Sequence, residues 1–316
     1  MTVLISDPPR HKFAHPEVTA KGEERARVGY KGTETLWFNT GTLCNIECVN
    51  CYIESSPTND RLVYLTRADI EPYLDELEAA GEVPIEIGFT GGEPFMAPEM
   101  IGMMEAALSR GHQVLVLTNA MQPMMRPRVQ TGLTDLQARF GDQITMRISL
   151  DHYAKHNHDE ERGAGSYDLT LKGMQWLRDK GFNMAIAGRT MWGEPEEEER
   201  QGYRSFIAEH GFSVDADNPS ELVLFPEMEE SDDPPEITTA CWGILNKDPR
   251  EIMCASQRMV VKRKGADSPT VLACTLIPYD ERFEIGKTLK EAREPVSLNH
   301  PFCASFCVLG GGSCSA

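Results

Sequence analysis

The sequence predicts an α/β protein built on a parallel sheet, with a small cysteine-rich α+β extension behind it. Three observations carry that prediction. Strand-like and helix-like segments alternate from Thr33 to Phe225. The residues with chemistry to offer cluster just past the ends of the strands. Beyond Phe225 the alternation stops, and six of the nine cysteines follow. Alternating strand–helix units with wholly apolar strands imply helices crossing over the sheet faces, and that arrangement makes the sheet parallel.

The elements follow in order. Residues 34–39 read as the first strand. Thr66 is placed to cap a helix running to Gly81, with Glu71, Leu74, Leu77 and Glu78 at helical spacing. Residues 84–89 form a short apolar strand, and 98–110 a helix closed by Gly111. The run QVLVLT at 113–118 is a buried strand, followed by a helix over 129–140 and a strand over 144–150. An amphipathic helix at 167–180 ends at Gly181. The strand 183–189, the helix 196–210 and the strand 221–225 complete six repeats. Residues 227–236 then hold six acids and two prolines, the composition of an exposed linker. The chain therefore divides into an N-terminal arm (1–33), an α/β domain (34–226), an acidic linker (227–240) and a cysteine-rich domain (241–316).

Composition narrows the function. Hydrophobic residues make up 41% of the 316, as in an ordinary globular protein, and no apolar run reaches the ~18 residues of a membrane span. The first twelve residues lack the apolar core of a signal peptide, so the protein is expected in the cytoplasm, where thiols stay reduced. Cysteines there serve metals more readily than disulfides. With 49 acids against 31 bases and a net charge of −18, nucleic acid is a disfavoured partner.

Two motifs carry chemistry. Cys44, Cys48 and Cys51 are spaced C-x3-C-x2-C on a short loop after the first strand; with nine cysteines in the chain, chance would supply this about 0.007 times. Forty residues on, Thr90-Gly91-Gly92-Glu93-Pro94 follows the second strand. A cubane iron–sulfur cluster normally takes four thiolates, so a loop offering three leaves one iron open, as catalytic metal sites do. A zinc knuckle is the alternative, but zinc prefers paired C-x2-C spacing, and no second pair lies nearby. Gly91 and Gly92 allow a close backbone approach that side chains would forbid, and Pro94 stiffens the exit.

The motif pair resembles the radical S-adenosylmethionine superfamily over roughly residues 34–225. That resemblance implies a partial (β/α)6 barrel. It further implies a [4Fe–4S] cluster whose open iron is chelated by S-adenosylmethionine, and a 5'-deoxyadenosyl radical released by reductive cleavage. It implies that the Gly91–Pro94 backbone meets the cofactor's methionine end, with Glu93 placed to accept from its ammonium. Ser149 and Asp151 end the fourth strand, alternate to the same side, and match the position that contacts ribose. Arg189, ending the fifth strand, could pair with the cofactor carboxylate, and Asn119 is similarly placed. One departure concerns adenine: many relatives have an aromatic residue before the third cysteine, where this chain has Asn50. Tyr52 is the remaining candidate to hold the base. His152, His156 and His158 are read as solvated loop residues rather than metal ligands, since no thiolate or carboxylate spacing completes a site.

In the extension, Cys254 and Cys274 bracket a strand–turn–strand pattern, residues 259–262 and 270–273. Cys303 and Cys307 follow a helix-like stretch at 288–293. This resembles the twitch domain, a shortened SPASM domain, and implies that Cys254, Cys274, Cys303 and Cys307 close a second, auxiliary [4Fe–4S] cluster. Cys241 and Cys314 are left over, with Cys314 able to replace Cys307; zinc is the alternative metal. The expected activity is hydrogen abstraction from a small molecule with net oxidation, fed by an electron donor such as flavodoxin or ferredoxin. Small molecule ranks above ribosomal peptide because no peptide-recognition segment precedes the barrel. The alternatives are a peptide maturase or, in another class, a non-catalytic iron–sulfur electron carrier.

Overall fold

A computed structural model describes residues 11–227 and 233–312. A two-residue strand, β1 (Arg27–Val28), precedes the barrel strands: β2 (Thr35–Asn39), β3 (Glu86–Thr90), β4 (Gln113–Thr118), β5 (Ile144–Ser149), β6 (Asn183–Arg189) and β7 (Leu222–Phe225). The helices between them are α1 (Arg67–Ala80), α2 (Met100–Leu108), α3 (Pro127–Phe140), α4 (Lys155–Arg162), α5 (Ser166–Asp179) and α6 (Glu196–His210). The extension contributes α7 (Cys241–Leu245), β8 (Gln257–Val261), β9 (Thr270–Leu272), β10 (Glu284–Gly286), β11 (Val296–Ser297) and a π-helix at Cys303–Leu309.

Strands β2 to β7 pair in parallel and in sequence order. The local signals produce the expected ends. The Thr66 side chain caps α1 and Asp69 returns the bond, while Gly81 closes the helix in the left-handed conformation at φ 71°. One apolar core fills the space between the sheet's outer face and helices α1, α2, α3, α5 and α6, with Phe38, Ile87, Val116 and Ile148 pointing into it. The opposite face supplies Trp37 and Leu115 to a second core shared with the extension.

The extension is continuous with the barrel sheet. Strand β8 pairs in parallel with β2, Thr35 opposite Gln257, and β9 and β10 add antiparallel strands beyond it. The sheet thus has nine strands in the order β10-β9-β8-β2-β3-β4-β5-β6-β7. The N-terminal segment is also built in. Strand β1 pairs with β11, and the buried Arg25 binds Glu236 of the acidic stretch at 2.5 Å.

Two expectations need correction. The helix-like stretch at 288–293 forms only a short 3-10 turn, Glu291–Arg293. The histidine segment is not a solvated loop: it contains α4, and His152 and His158 are fully buried, with His156 alone of the three exposed. His152 packs edge-on against Trp192 and its Nε2 lies 3.3 Å from Glu194, which accounts for its burial without a metal.

Candidate active site

The cysteine loop leaves β2 and is pressed against the glycine motif that leaves β3. The Gly92 N–H donates to the Gly41 carbonyl at 2.8 Å and the Glu93 N–H to the Leu43 carbonyl at 3.2 Å. Gly91 has φ 135°, which disfavours a side chain, and a Cβ on it would stand 2.5 Å from the Gly41 oxygen. A Cβ on Gly92 would stand 2.3 Å from the Leu43 oxygen. The two loops therefore fit only because this pair has no side chains.

Cys44, Cys48 and Cys51 open onto one cleft of about 1110 Å³, its mouth included. Gly91, Gly92, Asn119, Ser149, Asp151, Arg189 and Tyr52 line the same cleft. Most of the residues singled out in the sequence are thus brought together at the carboxyl ends of the strands, where parallel α/β sheets hold ligands. Glu93 and Pro94 are not: both are buried behind the wall. The Glu93 carboxylate accepts from the Thr118 hydroxyl at 2.9 Å and from the Asn119 N–H at 2.9 Å, so it ties β3 to the end of β4. Burial pushes its pKa up to about 7. As placed, it does not face an ammonium in the cleft.

The charged groups of the cleft are paired with one another. Asp151 is held by Arg162 through Nε at 2.5 Å and Nη2 at 2.8 Å, so its carboxylate is already engaged rather than free for a ribose. Arg189 donates to the Asn50 carbonyl at 2.7 Å, to Glu161 at 3.0 Å and to Glu227 at 2.6 Å. Its guanidinium also covers the Tyr52 ring, 4.8 Å from the centroid, while the Tyr52 hydroxyl donates to the Pro226 carbonyl at 2.5 Å. Asn50 gives both its N–H groups, backbone and side chain, to Glu161 at 2.8 and 3.0 Å. Glu161 and Arg162 are the functional-site residues that sequence reasoning missed. The only signal for them was their position after the fourth strand, because α4 is polar throughout.

Burial pushes the Cys44 thiol up to about 12 and the Cys48 thiol up to about 11, with Arg162 opposing the shift at Cys48. Thiolates here need a positive partner, which an iron cluster supplies. All eight described cysteines are free. Among the described residues no three His, Cys, Asp or Glu side chains are grouped tightly enough to clasp one metal ion. A cubane differs, since each thiolate takes a separate corner and the sulfurs stand further apart. Three thiols around an open cleft fit that larger group.

A second, much tighter cavity lies inside the extension. Cys254, Cys274, Cys303 and Cys307 all line it; Cys241 does not, and Cys314 falls outside the described residues. Thr275 and Leu276 line both cavities and form the partition between them. The extension also clasps the cysteine loop, the Tyr279 hydroxyl donating to the Ile53 carbonyl at 2.7 Å.

Comparison with known proteins agrees with this geometry. The family model described as the radical SAM superfamily matches residues 38–202, just over half the chain. Over 154 residues the chain is 31% identical to the antilisterial bacteriocin subtilosin biosynthesis protein AlbA of Bacillus subtilis, covering 47% of this chain and 32% of that protein. It is 32% identical over 139 residues to the mycofactocin maturase MftC of Mycobacterium tuberculosis, covering 44% and 33%. The aligned part thus spans about a third of the length of these relatives. Among solved structures, Streptococcus suis SuiB bound to S-adenosylmethionine superposes with a TM-score of 0.58 at 13% identity, over 81% of this chain and 63% of that one. The protein anSMEcpe with bound AdoMet superposes at 0.60 and 14% identity, over 85% and 82%. The fold, the cysteine loop docked on its glycine pair and the family match lead to one conclusion: the chain belongs to the radical SAM superfamily.

Proposed function

We propose that this enzyme is a maturase that modifies a peptide, with Cys44, Cys48 and Cys51 holding the catalytic cluster and the C-terminal cysteines an auxiliary one. The superfamily uses a [4Fe–4S] cluster with S-adenosylmethionine. When bound, that pair supplies a 5'-deoxyadenosyl radical for hydrogen abstraction. The observation that carries the peptide reading is the company the barrel keeps. It is similar to a bacteriocin biosynthesis protein and a mycofactocin maturase, and SuiB has been crystallised with its precursor peptide SuiA. The small-molecule expectation rested on where the sequence begins, which has no weight against these relatives. A pure electron carrier would have no use for a cleft that opens beside Cys44, Cys48 and Cys51 and is lined by Gly91, Gly92, Asn119 and Ser149.

Each residue then has a task. Gly91 and Gly92 present backbone to the cofactor's methionine end, and Ser149 offers a hydroxyl to its ribose. Arg162 and Arg189 set positive charge beside Cys48, Cys51 and Asp151. Tyr52 and Arg189, stacked together, form a wall for the adenine. Four thiols around one cavity in the extension support a closed cluster, and the thin partition at Thr275 and Leu276 gives an electron a short path out of the barrel. A net oxidation of the peptide follows from that path.

The experiment uses the anaerobically reconstituted protein and peptides encoded beside its gene. The wild type should hold about eight irons per chain and the Cys44/Cys48/Cys51→Ala variant about four, without 5'-deoxyadenosine. A Cys303/Cys307→Ala variant should still cleave the cofactor but leave the peptide mass unchanged. Undiminished cleavage by the triple variant would sink the radical assignment. Normal peptide product from the double variant would sink the auxiliary role.

A further inference from the structure

Arg258, on β8, is a cation buried without an anion. It is 2% exposed and lines the cavity shared by Cys254, Cys274, Cys303 and Cys307. Its Nε donates to the Ala292 carbonyl at 2.7 Å, and its Nη1 to the Cys254 and Gln257 carbonyls at 2.6 and 2.7 Å. The guanidinium also covers the Tyr30 ring, 4.9 Å from the centroid. Those partners are all neutral. The last nitrogen, Nη2, is buried and has no hydrogen-bond partner, and among the described residues no carboxylate pairs with this side chain.

Three other buried guanidinium groups are matched. Arg25 pairs with Glu236, Arg162 with Asp151 and Arg189 with Glu161. Arg282, whose charge reaches Cys303, is held by Asp280 at 2.6 Å. Carboxylates are not scarce in a sequence with 49 acids and 31 bases. A buried cation is costly unless something negative faces it, and what Arg258 shares a cavity with is four thiols. The 2.6 Å bond to the Cys254 carbonyl places the charge against the backbone of the first of them.

On the reading that the four thiols hold an auxiliary cluster, we propose that Arg258 is its fixed counter-charge and raises its reduction potential. Four thiolates around a [4Fe–4S] core leave a net negative charge, and one added electron increases it. A cation held beside that charge favours the reduced form more than the oxidised one. Three carbonyls keep the guanidinium from swinging away, and burial keeps water from screening it. Arg258 does not line the cleft of Cys44, Cys48 and Cys51, so it is a positioning residue rather than a catalytic one. Its charge favours the step in which the substrate radical is oxidised by one electron and the auxiliary group is reduced by one.

The test is a redox titration followed by electron paramagnetic resonance, made in the full-length Cys44/Cys48/Cys51→Ala protein, where only the auxiliary signal remains. Adding Arg258→Gln should shift the reduction equilibrium about tenfold toward the oxidised form, a fall of about 59 mV for a one-electron couple. Arg258→Lys keeps the charge and should hold the potential close to that of the parent. Iron is measured on the same samples. If Arg258→Gln loses its iron, a parental potential in Arg258→Lys still supports the proposal. An unmoved potential in an iron-loaded Arg258→Gln would overturn it, and so would a fall in Arg258→Lys as large as that in Arg258→Gln. Loss of iron from both variants would reduce Arg258 to a prop for the fold and overturn it too. A parent without iron would overturn the auxiliary-cluster reading and this proposal together, whereas the other failures leave that reading standing.

Discussion

Glu199 is a carboxylate on the inward face of α6, only 2% exposed, and neither of its oxygens has a hydrogen-bond partner. Burial, with Glu194 and Glu196 adding to it and Arg200 opposing, pushes its pKa up to about 7. In the unfolded chain the same group ionises near the ordinary glutamate value, about 4.3. The folded state therefore holds the proton more tightly. Its contribution to stability is complete below about pH 4 and is lost as pH rises through about 7. Replacing Glu199 with Gln should leave the melting temperature almost unchanged at pH 4 and raise it by several degrees at pH 8. Thermal melts across that range check this, and equal shifts at both ends would contradict it. The sequence could not disclose Glu199, which sits in the run 196–199 of four glutamates that reads as a solvated helix start. Only the packing of α6, which turns Tyr203 and Phe206 inward, takes Glu199 inside with them.

At the scale of elements, what the sequence disclosed follows from burial. β4, β6 and α6 have the expected boundaries because their apolar runs or periodicity are unbroken. Helix α4 escaped because its eight residues, KHNHDEER, include no apolar side chain. Its inward face is built from His158, which packs edge-on against Tyr167, and Glu161, which pairs with Arg189. Yet this helix steadies the cysteine loop: the Val49 N–H donates to the Glu161 carbonyl at 2.9 Å, and the Glu161 carboxylate joins Asn50 to Arg189. Glu161→Ala would leave Arg189 with Glu227 as its one carboxylate partner and take the acceptor from both Asn50 N–H groups, at a cost of about 2 kcal/mol. The expected result is a lower denaturation midpoint and poor iron retention at Cys48 and Cys51; iron analysis after gel filtration measures the second. The site was legible as far as its cysteines, glycines and strand ends. The pairing that engages Asp151 and Arg189 was not, since it depends on residues contributed by α4.

For the molecule as a whole, the N-terminal segment, the acidic stretch and the extension are joined at one buried point. Arg25 donates to the His15, Val18 and Leu298 carbonyls and to Glu236, and Glu236 also accepts the Phe13 and Ala20 N–H groups. Removing the carboxylate with Glu236→Ala leaves the guanidinium without its counter-charge and two amides without an acceptor, a loss of about 3 kcal/mol. Limited proteolysis should then cut first within residues 11–30, and an unaltered cleavage pattern would argue against this role. A segment with no periodicity gave no hint of such a lock, because its partners lie more than two hundred residues away. The same long reach marks the central sheet, and it has a consequence for synthesis. Strand β2 emerges from the ribosome early, but its partner β8 is about 220 residues behind it. Until that partner arrives, β2 keeps one open, apolar edge, and closing so long a loop is slow. Nascent chains stalled or truncated before β8 should therefore be the aggregation-prone species during expression, however complete the rest of the barrel is.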